Sequence, residues 1–276
     1  MLVSNKKLAL IASIILVYLG GMPLADAGFQ YRIYQPGVKP FEAGGGGGGS
    51  DGGVDEPGGP VLTHELLIAT PTINFGTVGM ATPVPSILFY LINTGTAPVF
   101  ISNLEIDGSP DISALDYGCY QATLEPGTAC QLSLGYDPVT IGPVSTNILI
   151  TSDAQTPIQT ITATGVGSTS DIPFLSPSQF SDYLVVASNS TTENLYSFHN
   201  YGFSSVTITN GSLVGDSAFS LVTNDCTLGT EIGAYASCGV SVRFSPVAST
   251  PSIARASLTV NISGKAATIQ LVGKKL

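Results

Sequence analysis

The 276-residue sequence predicts an all-β protein, two tandem antiparallel β-sandwiches carried behind an export signal and a glycine-rich tether. Three observations predict it. A pattern of Asn, Gly, Pro and Cys recurs about 107 residues along the chain, as duplicated structural units do. Past residue 60 apolar residues recur with a period of two, and no sustained apolar stripe of period 3.6 follows the leader, which favours strands over helices. Charged residues make up only 10% of the chain, against roughly 25% in an average soluble domain, while Gly, Ser, Thr and Pro are plentiful. That composition suits short strands and tight turns.

Residues 1–27 read as a signal peptide. Lys6 and Lys7 precede an apolar run from Leu8 to Leu19, and Ala25-Asp26-Ala27 forms a small-residue cleavage site. The run is short against the roughly 20 residues that span a bilayer; the alternative is a retained N-terminal anchor whose apolar run extends through Gly20 and Gly21. No Cys follows it, so a lipid anchor is not indicated. Residues 28–43 are an aromatic segment in which Phe29, Tyr31, Ile33 and Tyr34 precede Gln35-Pro36-Gly37. These four are candidate partner-binding residues, able to add as a strand to a partner's sheet; the bland alternative is a loose mature N-terminus. Residues 44–60 are nearly all glycine and cannot bury a core, so they read as a flexible linker with an r.m.s. reach of roughly 20–25 Å.

The two copies occupy residues 61–167 and 171–276. Asn93-Thr94-Gly95 aligns with Asn200-Tyr201-Gly202, Gly108 with Gly215 and Cys119 with Cys226. One residue is then inserted, and Cys130 aligns with Cys238, Pro138 with Pro246 and Gly165 with Gly273. Leu132, Leu134 and Tyr136 alternate with polar residues, as Val240, Val242 and Phe244 do in the second copy. Leu258, Val260 and Ile262 give a further period of two. The run Ser86 to Ile92 is apolar on both faces, which predicts a central strand covered on its outer side. The short link Val166 to Asp171 predicts limited hinge freedom between the copies.

All four cysteines lie in the copies. An even count in an exported chain argues for disulfides. Three connectivities are possible, and the repeat favours the local one, Cys119 with Cys130 and Cys226 with Cys238. Glu125-Pro126-Gly127 and Gly229-Thr230-Glu231 let the chain turn back within each loop. The spacings are unlike those of a zinc site.

Laid out this way, the chain resembles the Hydin-type (ASH) and choice-of-anchor D family of immunoglobulin-like domains over residues 68–167 and, more loosely, 174–273. The resemblance rests on Ile73-Asn74-Phe75-Gly76, Asn93-Thr94-Gly95, Cys119 with Leu124 to Cys130, Tyr136-Asp137-Pro138, Gly142 and Ala163-Thr164-Gly165. The second copy keeps Asn200, Gly202, both Cys, Phe244-Ser245-Pro246 and Leu271-Val272-Gly273. It departs at Ser181-Asp182-Tyr183 and at a Ser and Pro run in place of Gly142. The resemblance implies two immunoglobulin-like sandwiches of seven or eight strands that serve as surface, extracellular or scaffolding modules without a shared active site.

The residues themselves offer little chemistry. His64 and His199 are the only histidines, and neither stands with a Ser and an acid in a recognised triad order. The glycines at 44–49 precede no Lys-Ser or Lys-Thr, so they are not a phosphate loop. Glu105, Asp107, Asp111 and Asp116 could supply oxygens to calcium, but the twelve-residue loop pattern is absent. Asn189, Asn210 and Asn261 head formal glycosylation sequons. No enzyme and no cofactor is expected.

The net charge is −10, and no Lys or Arg occurs between Lys39 and Arg243. Nucleic acid and anionic membrane surfaces are therefore poor partners, since phosphate binding draws on Lys and Arg. The expectation is an exported, periplasmic, cell-surface or extracellular structural or adhesive module that binds a larger protein assembly through its N-terminal segment. Two alternatives stand beside it. One is a carbohydrate-binding surface protein using Tyr117, Tyr120, Tyr201 and Tyr235. The other is a periplasmic pilus-type chaperone, for which Arg243 is the candidate cation.

Overall fold

The computed structural model describes residues 61–80, 84–170 and 174–276; the leader, aromatic segment and tether lie outside the described residues. Every regular element among the described residues is a β-strand. The first copy holds β1 (Leu66–Ile68), β2 (Thr72–Gly79), β3 (Val84–Asn93), β4 (Val99–Gly108), β5 (Ile112–Tyr117), β6 (Ala122–Leu124), β7 (Ala129–Tyr136), β8 (Gly142–Ser152) and β9 (Ile158–Ser168). The second holds β10 (Leu175–Pro177), β11 (Ser181–Val186), β12 (Thr192–Asn200), β13 (Val206–Gly215), β14 (Phe219–Asn224), β15 (Glu231–Ile232), β16 (Ser237–Phe244), β17 (Ile253–Ile262) and β18 (Lys265–Lys275).

Each copy is a sandwich of two sheets. The first pairs the order β1-β3-β7-β5 with β2-β9-β8-β4-β6, and the second repeats it strand for strand as β10-β12-β16-β14 and β11-β18-β17-β13-β15. Pairing within each copy is antiparallel except where the opening strand of the larger sheet joins its last strand, β2 with β9 and β11 with β18, in parallel. This is an immunoglobulin-like arrangement. The period of two decides which residues meet between the sheets: Leu132, Leu134 and Tyr136 face Ile148, Ile150 and Ile161 in one core, while Val240, Val242 and Phe244 join Leu258, Val260 and Ile269 in the other. Burying a large apolar side chain contributes about 1.5–3 kcal/mol.

The repeated punctuation has physical causes. Asn93 is fully buried, donates Nδ2 to the carbonyls of Ala97 (2.8 Å) and Leu124 (2.7 Å), and accepts from the Gly95 N–H (2.9 Å). Asn200 does the same work with Ser204, Ile232 and Gly233 as acceptors and Gly202 as donor. Gly165 and Gly273 are glycine because a Cβ would lie 2.5 Å from the Tyr136 ring and 2.4 Å from the Phe244 ring. The closing glycine and the aromatic before Asp137-Pro138 or Ser245-Pro246 are thus one packing unit.

The second copy's departures are equally local. In the first, Asn74 Oδ1 accepts the Gly76 N–H at 2.7 Å, Gly76 takes φ +70°, and the β2–β9 register shifts between Asn74 and Thr77. In the second, β11 runs unbroken, and Asp182, which stands where β2 has Ile73, is a buried acceptor for Tyr196 Oη (2.7 Å), Asn194 Nδ2 (2.8 Å) and the Tyr183 N–H (2.8 Å). In place of Gly142 a turn forms in which Val247 N–H reaches Thr250 Oγ1 and Thr250 N–H reaches the Val247 carbonyl.

The sulfurs join as the repeat suggests, Cys119 to Cys130 and Cys226 to Cys238, with Cα atoms 5.2 and 5.3 Å apart. Each bridge ties the loop after the third strand of the smaller sheet to the start of that sheet's central strand. Closing loops of this length restricts the unfolded chain by about 3 kcal/mol each. Replacing Cys226 and Cys238 with Ser is expected to lower the melting temperature of the second sandwich by roughly 10–20 °C in calorimetry. A shift of less than about 3 °C would count against this chain-entropy account.

Candidate interaction surfaces

Two of the acids weighed for chemistry are occupied in holding loops. Asp111 is buried and accepts the N–H groups of Val139 (3.2 Å) and Thr140 (2.9 Å), while Asp116 accepts those of Cys119 (2.7 Å) and Tyr120 (3.1 Å). Glu105 and Asp107 stand on β4, facing away from the core-facing Leu104. Among the described residues, no three His, Cys, Asp or Glu side chains converge on a point that could hold a metal ion. The His64 carbonyl accepts the Gln155 N–H, and His199 stacks on Tyr201 at 5.7 Å. Arg243 pairs with Glu193 at 3.2 Å on the exposed face of the β12–β16 pair.

The two sandwiches meet along a seam that differs from the hinge the link predicts. β9 continues to Ser168, so little link remains, and contact then runs along β11. β1 covers β3 only from Leu91 to Asn93, which leaves the upstream edge of β3 open. The segment Gln179 to Ser181 fills it: Gln179 bridges Leu88 in parallel, the Phe180 N–H donates to the Leu88 carbonyl (2.8 Å), and the Tyr90 N–H donates to Ser181 Oγ (3.0 Å). Farther along, Tyr183 Oη donates to the Gly127 carbonyl (2.8 Å) and Lys274 Nζ to the Pro126 carbonyl (3.1 Å). Burial pushes the Tyr183 hydroxyl up to about 12.

The seam is apolar at its root. Phe180 meets Phe75 edge-on at 5.6 Å, and Phe75 meets Tyr136 at 5.4 Å, so Phe174 and Phe180 join the core of the first sandwich. Ile92 and Val272 are buried yet belong to neither core. On the outer face of β3, Ile92 is fully buried and Leu88 and Tyr90 are half-buried, while Gln179 to Ser181 run along its edge.

A cleft of about 390 Å³ opens between the sandwiches beside this root, lined by β2, Phe174, Phe180 and the β17–β18 hairpin with Lys265. Burial lowers the Lys265 pKa from its ordinary value. The cation in this cleft is therefore Lys265, whereas Arg243 lies on β16 against Glu193. Of the tyrosines considered for sugar binding, Tyr117 and Tyr235 are exposed, while Tyr120 and Tyr201 are half-buried against the first core. Tyr235 packs edge-on against Phe203 at 5.4 Å. Phe29, Tyr31, Ile33 and Tyr34 lie outside the described residues.

Sequence reasoning missed the seam. Its signal was present in Phe174 and Phe180, two aromatics at the head of the second copy whose first-copy counterparts by strand register are Glu65 and Pro71.

No model of a known protein family matches the chain, and no curated protein does. Among solved structures, a protein of unknown function from Porphyromonas gingivalis W83 is 15% identical, covering 76% of this chain and 99% of that one with a TM-score of 0.30. The ASH/PapD-like domain 7 of human CEP192 is 13% identical over 37% of this chain and 84% of that one, with a TM-score of 0.28. The class 5 fimbriae chaperone CfaA is 9% identical over 77% of this chain and 100% of that one, with a TM-score of 0.30. At such low similarity no activity is carried over from any of them.

Proposed function

We propose that the chain is an exported, non-enzymatic structural module, which binds a larger extracellular protein assembly or cell surface through Phe29, Tyr31, Ile33 and Tyr34 and presents the paired sandwiches beyond its tether. The observation that carries this reading is the seam. Strand-edge bonds and a shared aromatic cluster join two sandwiches into one body, which suits a part that must hold a position. Two disulfides suit an oxidising compartment, and Asp111 and Asp116 serve backbone amides rather than a reaction.

Deleting Phe29 to Phe41 is expected to abolish co-sedimentation of the protein with the surface fraction of the producing cells and to leave its melting temperature unchanged. Retention of the truncated protein in that fraction would remove the anchoring role of the segment.

A further inference from the structure

The internal seam is a template for a second one. In the first copy the edge of β3 beyond β1 is filled by Gln179 to Ser181. The same edge exists in the second copy. β10 covers β12 only from Phe198 to Asn200, and Ser178 then bonds Ser197 through N–H to carbonyl (2.7 Å) and N–H to Oγ (3.2 Å). Because backbone groups alternate along a strand, Leu195 and Glu193 point their N–H and C=O to the same side as Ser197. Among the described residues no strand lies beside them there. Leu195 is 66% exposed, whereas its counterpart Leu88 is half-buried beneath the seam.

The outer face beside this edge is hollow for a reason the alignment makes plain. Where the first copy has Tyr90 and Gln131, hydrogen-bonded at 2.6 Å, the second has Ser197 and Gly239. Loss of those side chains leaves a groove of about 430 Å³ lined by Leu195, Ser197, Gly239, Ile232, Asp225 and Glu231. The two acids stand where the first copy has Gly118 and Thr123. The aromatic slot is not repeated, since Leu184, opposite Gly273, stands where the Phe75-Gly76 bulge faces Gly165, so selection of an occupant falls to the groove on the outer face rather than to a core socket.

We infer that the occupant is the N-terminal segment, residues 28–43, of a second copy of this chain. The inference rests on the proposed binding role of that segment and names its partner. Phe29-Gln30-Tyr31-Arg32-Ile33-Tyr34 alternates as a strand does, and Arg32 and Lys39 are the only cations of the sequence between the leader and Arg243. They are opposite in charge to Asp225 and Glu231, which line the groove on the far side of β12 from the open edge, and the internal seam likewise holds a cation, Lys274, which donates to the Pro126 carbonyl. The tether departs from the first sandwich, where Thr96 Oγ1 reaches the Val61 carbonyl, so donor and acceptor belong to different ends of the sequence. One donor and one different acceptor per copy make a heterologous contact, which propagates head to tail. Addition of a strand to a free edge supplies the affinity and the groove supplies the selection.

Sedimentation velocity on the full chain after leader removal tests this. The average mass is expected to rise with concentration beyond that of a dimer. Leu195→Pro, which removes an edge N–H, and Arg32→Glu, which reverses a charge of the segment, should each weaken association by about tenfold or more. Mixed together, the two variants should form dimers and nothing larger, because only one intact donor and one intact acceptor can meet. A wild-type chain that stays monomeric at every concentration, or association untouched by both variants, overturns the inference. If the wild type is monomeric while deletion of Phe29 to Phe41 still abolishes surface retention, the proposed function survives and this partner does not.

Discussion

Replacing Asn93 with Ala is expected to destabilise the first sandwich by about 3–5 kcal/mol, measured by urea unfolding. The amide is fully buried and serves two carbonyls and one N–H, in the turn at Gly95 to Ala97 and at Leu124. Alanine leaves all three backbone groups without a partner in a place water does not reach, and each buried orphan costs about 1–3 kcal/mol. Whole domains are stable by only about 5–15 kcal/mol, so the loss should bring the first transition near to collapse at 37 °C. Asn200→Ala should do the same to the second sandwich, since that amide carries an equivalent set. A loss below about 1 kcal/mol would mean that the turn reorganises to pair its own groups.

Phe180→Ala is expected to destabilise the first sandwich, although the residue belongs to the chain of the second, by about 3–5 kcal/mol. The ring fills a place in the first core against Phe75, while its backbone N–H, which bonds Leu88, survives the substitution. The variant therefore separates apolar packing from strand-edge pairing. Calorimetry should show the two sandwiches unfolding apart, with the first melting earlier than in the parent. A change confined to the second transition would show that the ring belongs energetically to its own copy.

The fold was legible because two kinds of residue wrote it. Period-two runs such as Leu132 to Tyr136 and Leu258 to Ile262 named the strands, and the paired Asn, Gly and Cys positions named the duplication. Residues such as Gly165 were legible as punctuation without their cause, which is a ring on another strand. The seam was not legible. Phe180 reads locally as the start of a strand in the second copy, and only the shortness of β1, three residues, leaves β3 an edge for it to meet. Strand length is set by turns, and turn positions are weakly marked in a sequence so rich in Ser, Thr and Gly. The groove beside Leu195 was hidden for a similar reason. Ser197 and Gly239 are unremarkable alone and become a surface only beside Tyr90 and Gln131 in the other copy.

The parallel joining of opening and closing strands has a mechanical consequence. Tension applied at opposite ends of a sandwich tries to slide β2 along β9, or β11 along β18, so the rungs between them are sheared as a group instead of being unzipped singly. The β11–β18 ladder runs without interruption from Ser181 to Val186, whereas the β2–β9 ladder is broken between Asn74 and Thr77. Under load the half nearer the tether should yield first, extend, and shield the farther half from the pull.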